Sequence, residues 1–179
     1  MSQDERAKAL QKFVDGVVKQ ARTNLTKRKK NASKKLYNSI KGESKVYPNS
    51  IRIGFQMEDY GFFQDQGVNG KKKNQGSRFS FRDKMPPPSA LDKWIVRRGI
   101  APRDAKGKLL PRKTLQFIIA RSIYNKGIKP SKFFSDAIET KLKKLPTELI
   151  NPYVLTVSNI IDIAIKENVR KNAVFSSSK

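Results

Sequence analysis

The chain alternates between two hydrophobic rhythms. Ala7, Leu10, Phe13, Val14, Val17 and Ala21 recur at helical spacing and predict an amphipathic helix over roughly residues 3–25. Ser2 and Glu5 form a capping-box pattern at its start. Lys8, Lys12, Lys19 and Arg22 fall on its polar face. From Ile51 the period changes to two. Ile51, Ile53 and Phe55 take one side of a strand, and Arg52, Gly54 and Gln56 the other. A weaker strand over about 38–47 precedes it, across the turn cluster Pro48-Asn49-Ser50, so residues 37–57 read as a hairpin.

The alternation breaks at Glu58-Asp59. Tyr60, Phe62 and Phe63 then place three aromatics within four residues, and Gly67 closes the stretch at a position suited to positive φ. Residues 69–78 hold Gly70, Lys71-Lys72-Lys73, Asn74, Gln75 and Gly76. Burial cannot fold them, so the expectation is a mobile loop that orders against a partner. Arg78–Arg82 alternates again as a candidate third strand.

Met85-Pro86-Pro87-Pro88 reads as a stiff spacer. Ser89 is the expected cap of a helix with Leu91, Trp94 and Ile95 inward, and Trp94 as a core anchor. Gly99 ends that helix and residues 101–110 form a polar connection. Pro111 opens the next helix, with Leu115, Ile118, Ile119 and Ile123 as its stripe and Gly127 at its end. After the turn at Lys129-Pro130, Ser131 is the expected cap of a helix with Phe134, Ala137, Ile138, Leu142 and Leu145 inward. Pro146 stops it. Over residues 153–169, Val154, Val157, Ile161, Ala164 and Ile165 fit a helix, while Ile161, Ile163 and Ile165 also fit a strand; the length of the run favours the helix, and the end from Phe175 should fray. Ile160 and Ile163 lie off its stripe, which points to burial against a neighbouring subunit. The order of elements predicts an α+β fold. A small antiparallel sheet of two to four strands is packed by an N-terminal helix and several C-terminal helices. The expected division is one domain over residues 1–150 and a helical extension over 151–179.

Charge changes this picture most. The chain has 179 residues, with 39 Lys+Arg against 15 Asp+Glu, a net charge of +24. Such a chain repels itself unless it meets nucleic acid or acidic partner subunits. Cysteine and histidine are absent, which removes disulfides, thiol chemistry and the histidine general base. No apolar run approaches a membrane span, and the N-terminus lacks the order of a signal peptide, so synthesis in the cytoplasm is expected.

Candidate chemistry is thin. Glu43-x-Lys45 has the spacing of a metal-dependent nuclease strand, but its second acidic ligand would have to be Asp15, on a helix with its own face to satisfy. Glu58, Asp59 and Asp65 cluster in sequence and read better as pairing groups for a basic copy of the chain than as a metal site. No cofactor is expected. For nucleic acid, Lys71, Lys72, Lys73 and Arg78 are the foremost candidates, touching phosphates without reading sequence. Arg97, Arg98 and Arg103 come second. The basic run Lys27–Lys30 with Lys34-Lys35 could form a nucleic-acid arm, but its shortness between structured segments favours a solvated link tied down by Leu36 and Ile40.

Three segments together resemble the tail-completion, or head–tail joining, proteins of tailed bacteriophages. They are Tyr60-Gly-Phe-Phe-Gln-Asp-Gln-Gly67; Pro86-Pro-Pro-Ser-Ala-Leu-Asp-Lys-Trp94 with Gly99-Ile100; and Phe117-Ile-Ile-Ala-Arg121 through Gly127-Ile-Lys-Pro130 to Phe133-Phe134. The resemblance covers about residues 36–145. It implies a structural protein of the virion neck or tail without catalysis of its own. Its copies would form a ring, commonly a hexamer, with a dodecamer as the alternative. The ring would adjoin the portal or connector and the tail proteins. Tyr60, Phe62, Phe63, Ile160 and Ile163 would then supply subunit contacts, and the loop over 68–80 would reach a neighbour or face DNA in the channel. The high positive charge and the chain beyond Pro146 depart from the family pattern. The alternative from a different class is a sequence-independent nucleic-acid-binding protein.

Overall fold

A computed structural model describes residues 2–151, 153 and 155–176, with the side chains of these apart from those of 148 and 169–176. In chain order the elements are α1 (Gln3–Lys27), α2 (Lys35–Ser39), β1 (Lys41–Tyr47), β2 (Ser50–Gln56), α3 (Tyr60–Gln66) and β3 (Val68–Asn69). A 3-10 turn (Pro88–Leu91) leads into α4 (Asp92–Arg97). Then come α5 (Arg112–Lys126), β4 (Gly127–Ile128), α6 (Ser135–Leu142), α7 (Thr147–Ile150) and α8 (Val157–Ser176). The fold is α+β, with two small antiparallel sheets, β1–β2 and β3–β4. The chain divides into two compact units. One is Met1–Phe62 with Lys132–Lys179, and the other is Phe63–Ser131.

The first unit is built on α1. Ser2 Oγ accepts from the Glu5 amide at 3.2 Å, and the Glu5 carboxylate accepts from the Ser2 amide at 2.8 Å, closing the expected capping box. Leu10, Phe13, Val14, Val17, Ala21 and Leu25 are all buried. This stripe lies against β1 and α6, while α8 covers β2 and α6. The hairpin pairs Lys41 with Gln56 through to Tyr47 with Ser50. Phe55 from β2 meets Phe134 edge-on, with ring centroids 5.2 Å apart. Asn168 is buried on α8 and donates to the carbonyls of Phe55 (3.2 Å) and Ala164 (2.8 Å).

Parts of the polar face of α1 act as staples. Arg22 donates to the carbonyls of Tyr37 (3.1 Å) and Ile40 (2.9 Å) and lies over the Tyr37 ring. Arg28 pairs with Asp136, and Asn24 donates to the Phe133 carbonyl. Leu36 and Ile40 are buried at the end of the basic run, as the solvated-link reading requires. The first strand begins later than expected, because residues 38 and 39 belong to α2. There Ser39 Oγ donates to the Leu36 carbonyl and accepts from the Glu58 amide.

In the second unit the expected caps and stripes shift. Ser89 lies inside the 3-10 turn and makes no cap. The helix that follows is only six residues long and buries Ile95. Trp94, one position earlier and about 100° round the helix, is 38% exposed rather than a core anchor. On α5, Leu115 and Ala120 are buried, whereas Ile118 leaves the expected stripe and is 49% exposed. Residues 78–82 form no strand beyond one bridge between Ser80 and Asn69. Ser131 does not cap α6, which begins at Ser135. Instead its amide and hydroxyl both donate to the Gln64 carbonyl, at 3.0 and 2.6 Å. In the first unit, the helix expected over 153–169 is present but begins only at Val157 and runs on to Ser176. The end expected to fray from Phe175 still belongs to this helix at residues 175 and 176, and 177–179 lie outside the described residues.

Candidate functional site: the lysine loop at the end of helix α5

An α-helix leaves its last four carbonyls without partners of its own. In α5 these belong to Ile123, Tyr124, Asn125 and Lys126, and all four are taken. The Gly127 amide donates to Ile123. The loop supplies the other three donors. The Lys71 amide donates to Tyr124 (2.8 Å), the Lys72 amide to Asn125 (2.9 Å) and Gln75 Nε2 to Lys126 (2.7 Å). The loop is therefore ordered by its own chain, which corrects the expectation that it awaits a partner.

Two glycines make the approach possible. A Cβ on Gly70 would lie 2.3 Å from the Asn125 carbonyl oxygen and 2.4 Å from the Gly127 amide nitrogen. A Cβ on Gly127 would lie 2.1 Å from the Val68 carbonyl oxygen, and Gly127 also has φ 75°. Val68 and Asn69 pair there with Ile128 and Gly127. The predicted positive φ of Gly67 is present, at 74°.

Asn69 fastens the other half of the loop. Its Oδ1 accepts from the amides of Gln75 (2.8 Å) and Ser77 (3.0 Å). Its Nδ2 donates to the Ser77 carbonyl (2.7 Å) and to Ser80 Oγ (3.2 Å). Its backbone amide donates to Phe79, and its carbonyl accepts from Phe81. Ser77 Oγ donates to the Gly67 carbonyl at 2.7 Å. Tyr124 Oη closes the far end by donating to the Arg82 carbonyl at 3.0 Å.

The result is a fixed backbone with exposed charges. Lys71, Lys72 and Lys73 are exposed, and their chain segment covers the C-terminal, negative end of the α5 dipole. Arg78 is exposed further along the same loop. The unit carries 17 Lys+Arg against 4 Asp+Glu, a net charge of +13 within 69 residues. Such a surface attracts anions electrostatically. The secondary candidates are placed differently. Arg97 and Arg98 are exposed at the end of α4, and Arg103 donates to the Gly107 carbonyl within a turn.

The proposed subunit contacts fall into two groups. Phe62 and Ile160 are buried inside the chain, 5% and 2% exposed, and so have little surface to offer a neighbour. Tyr60, Phe63 and Ile163 are 41–44% exposed. Phe63 packs edge-on against Phe79, with centroids 4.7 Å apart.

The carboxylates do not assemble a site. Glu58 pairs with Lys35 at 2.9 Å, and Asp65 is buried and accepts from Gln66 Nε2 at 2.6 Å. Asp15 accepts from Gln11, while Glu43 and Lys45 stand exposed on β1. Among the described residues no three acidic side chains could hold a metal ion together. No described helix is long and apolar enough to cross a membrane.

Sequence reasoning found the lysines but missed the residues that hold them: Gly70, Asn69 and Gln75. The signal was present in Asn69-Gly70 and Asn74-Gln75-Gly76-Ser77, whose side chains favour local bonds to backbone. The chain matches no protein-family model, no curated protein and no solved structure.

Proposed function

We propose that the protein is a structural component of a tailed-phage virion. It forms a ring in the neck or tail that joins the capsid connector to the tail, and it does no chemistry of its own. The observation that carries this reading is the meeting of two segments that resemble that family. Gly67, which ends the first segment, seats against Ile128 and Pro130 of the third. Ser131 then locks to the Gln64 carbonyl. The middle segment enters through the 3-10 turn, which packs on α5. These residues fix the base of one basic loop, which in a ring would reach a neighbouring copy or line the channel. Tyr60, Phe63 and Ile163 supply exposed apolar surface for subunit contacts.

The test is the native mass of the purified chain at low salt and at about 0.5 M salt, which screens most surface charge. A discrete ring-sized species, alone or on addition of a connector or tail extract, is the expected result. A monomer under every condition overturns the reading.

The fixed backbone beneath Lys71–Lys73 favours a second reading, a sequence-independent nucleic-acid-binding protein. In that case a monomer binds any duplex, with affinity falling steeply as salt rises.

A further inference from the structure

Helix α5 has two apolar faces, and only one is covered. Leu115, Gln116, Ile119, Ala120 and Ile123 turn inward, with Gln116 donating to Asp92 at 2.7 Å. On the opposite side, Lys113, Thr114, Phe117, Ile118 and Arg121 share a second stripe at helical spacing. All five are exposed, and Phe117 and Ile118 are each 49% exposed. This face has a two-residue apolar centre between two cations, the layout of a small protein-binding surface.

We propose that this face of α5 docks an acidic amphipathic protein segment. Its large apolar side chains would cover Phe117 and Ile118, and its carboxylates would meet Lys113 and Arg121. Charge selects this occupant. A second copy of this unit laid on the face brings mostly cations to cations, because the unit has 17 Lys+Arg against four acids, of which Asp83 is exposed and the other three are committed. Asp65 is buried, Asp92 accepts from Gln116 and lies 3.7 Å from Arg112, and Asp104 accepts from the amides of Lys106 and Lys108. Nucleic acid would satisfy the cations but leave Phe117 and Ile118 wet. The inference does not rest on the neck reading and holds equally for a monomer.

The test uses the full chain and a fluorescein-labelled synthetic helical peptide with leucines at i, i+4 flanked by glutamates. One control peptide replaces the leucines with serine, and another replaces the glutamates with lysine. Fluorescence anisotropy at about 0.15 M salt should show the acidic-apolar peptide bound at least about tenfold more tightly than either control. The Phe117→Ser/Ile118→Ser variant should lose that preference, and Arg121→Glu should weaken it in the same direction should the double variant fail to fold. Three results overturn the proposal: equal binding of the serine control, an unchanged Kd in both variants, or weaker duplex-DNA binding in the double variant. A fall in native mass on Phe117→Ser/Ile118→Ser also overturns it, because a second copy would then be the occupant.

Discussion

The amide of Lys72 donates to the carbonyl of Asn125 at 2.9 Å, so the lysine triplet and the end of α5 are one structural object. Backbone holds backbone at this joint, and the lysine side chains remain exposed. Structure and charge are thereby separable, and mutations can address each alone.

Gly127→Ala addresses the joint. It places a Cβ at φ 75°, against the Val68 carbonyl oxygen. The left-handed backbone and the backbone clash should together cost about 3 kcal/mol or more. Trp94 is the sole tryptophan and lies in the same unit, so its fluorescence in a urea titration reports the loss. A midpoint unchanged from the parent would mean that the crossing of β3 and β4 is looser than described.

Asn69→Ala addresses the clasp. It removes four side-chain hydrogen bonds at roughly 1 kcal/mol each at most, and water replaces part of them. The expected local loss of about 2–3 kcal/mol should make the Gln75 and Ser77 amides exchange with solvent about a hundredfold faster. Asn69→Asp keeps the acceptor and loses the two donors, so its exchange rates should fall between parent and alanine. Equal rates in all three proteins would remove Asn69 from its role.

Replacing Lys71, Lys72 and Lys73 by alanine together addresses charge alone. Stability should move by no more than about 0.5 kcal/mol, because these side chains are exposed. On duplex DNA the log–log salt slope should fall by about 0.9 for each lysine that contacts a phosphate. A slope identical to that of the parent would show that this loop does not touch the duplex.

What the chain discloses on inspection is local, and what it hides is distant. The capping box of Ser2 and Glu5, the stripe of α1 and the glycines at 67 and 127 are each set within a few residues, and each is where the pattern puts it, whereas the alternation of β2 holds only to Ile53, since Gly54 on its other side is also buried. The order of the lysine loop depends on carbonyls of residues 124–126, more than 50 positions away, so composition alone made it look unfolded. Ser131 resembled a cap by its neighbours, yet it bonds Gln64 from the far side of the unit's chain. Ile118 and Ile119 are equally apolar, and only packing decides that Ile118 faces outward.

Alkali offers a last test, at Tyr60. Tyr60 is 43% exposed, and the partial burial of its phenol raises it above its ordinary value of 10.0, with the negative charge of Glu58 adding to the rise. Lys35 is also raised above 10.5, chiefly by its hydrogen bond to Glu58. Both groups hold their protons more firmly in the folded chain than in the unfolded one. Their contribution to stability is therefore fully present below about pH 10 and is lost as pH rises through the raised values. Lys35 lies in solvent, so Tyr60 should dominate. An ultraviolet titration of the folded protein should show a late-ionising step, and Tyr60→Phe should abolish it. The same variant should flatten the fall in stability above pH 10 and leave stability near neutrality little changed. If the late step survives in Tyr60→Phe, the perturbed phenol belongs to another tyrosine and the environment assigned to Tyr60 is wrong.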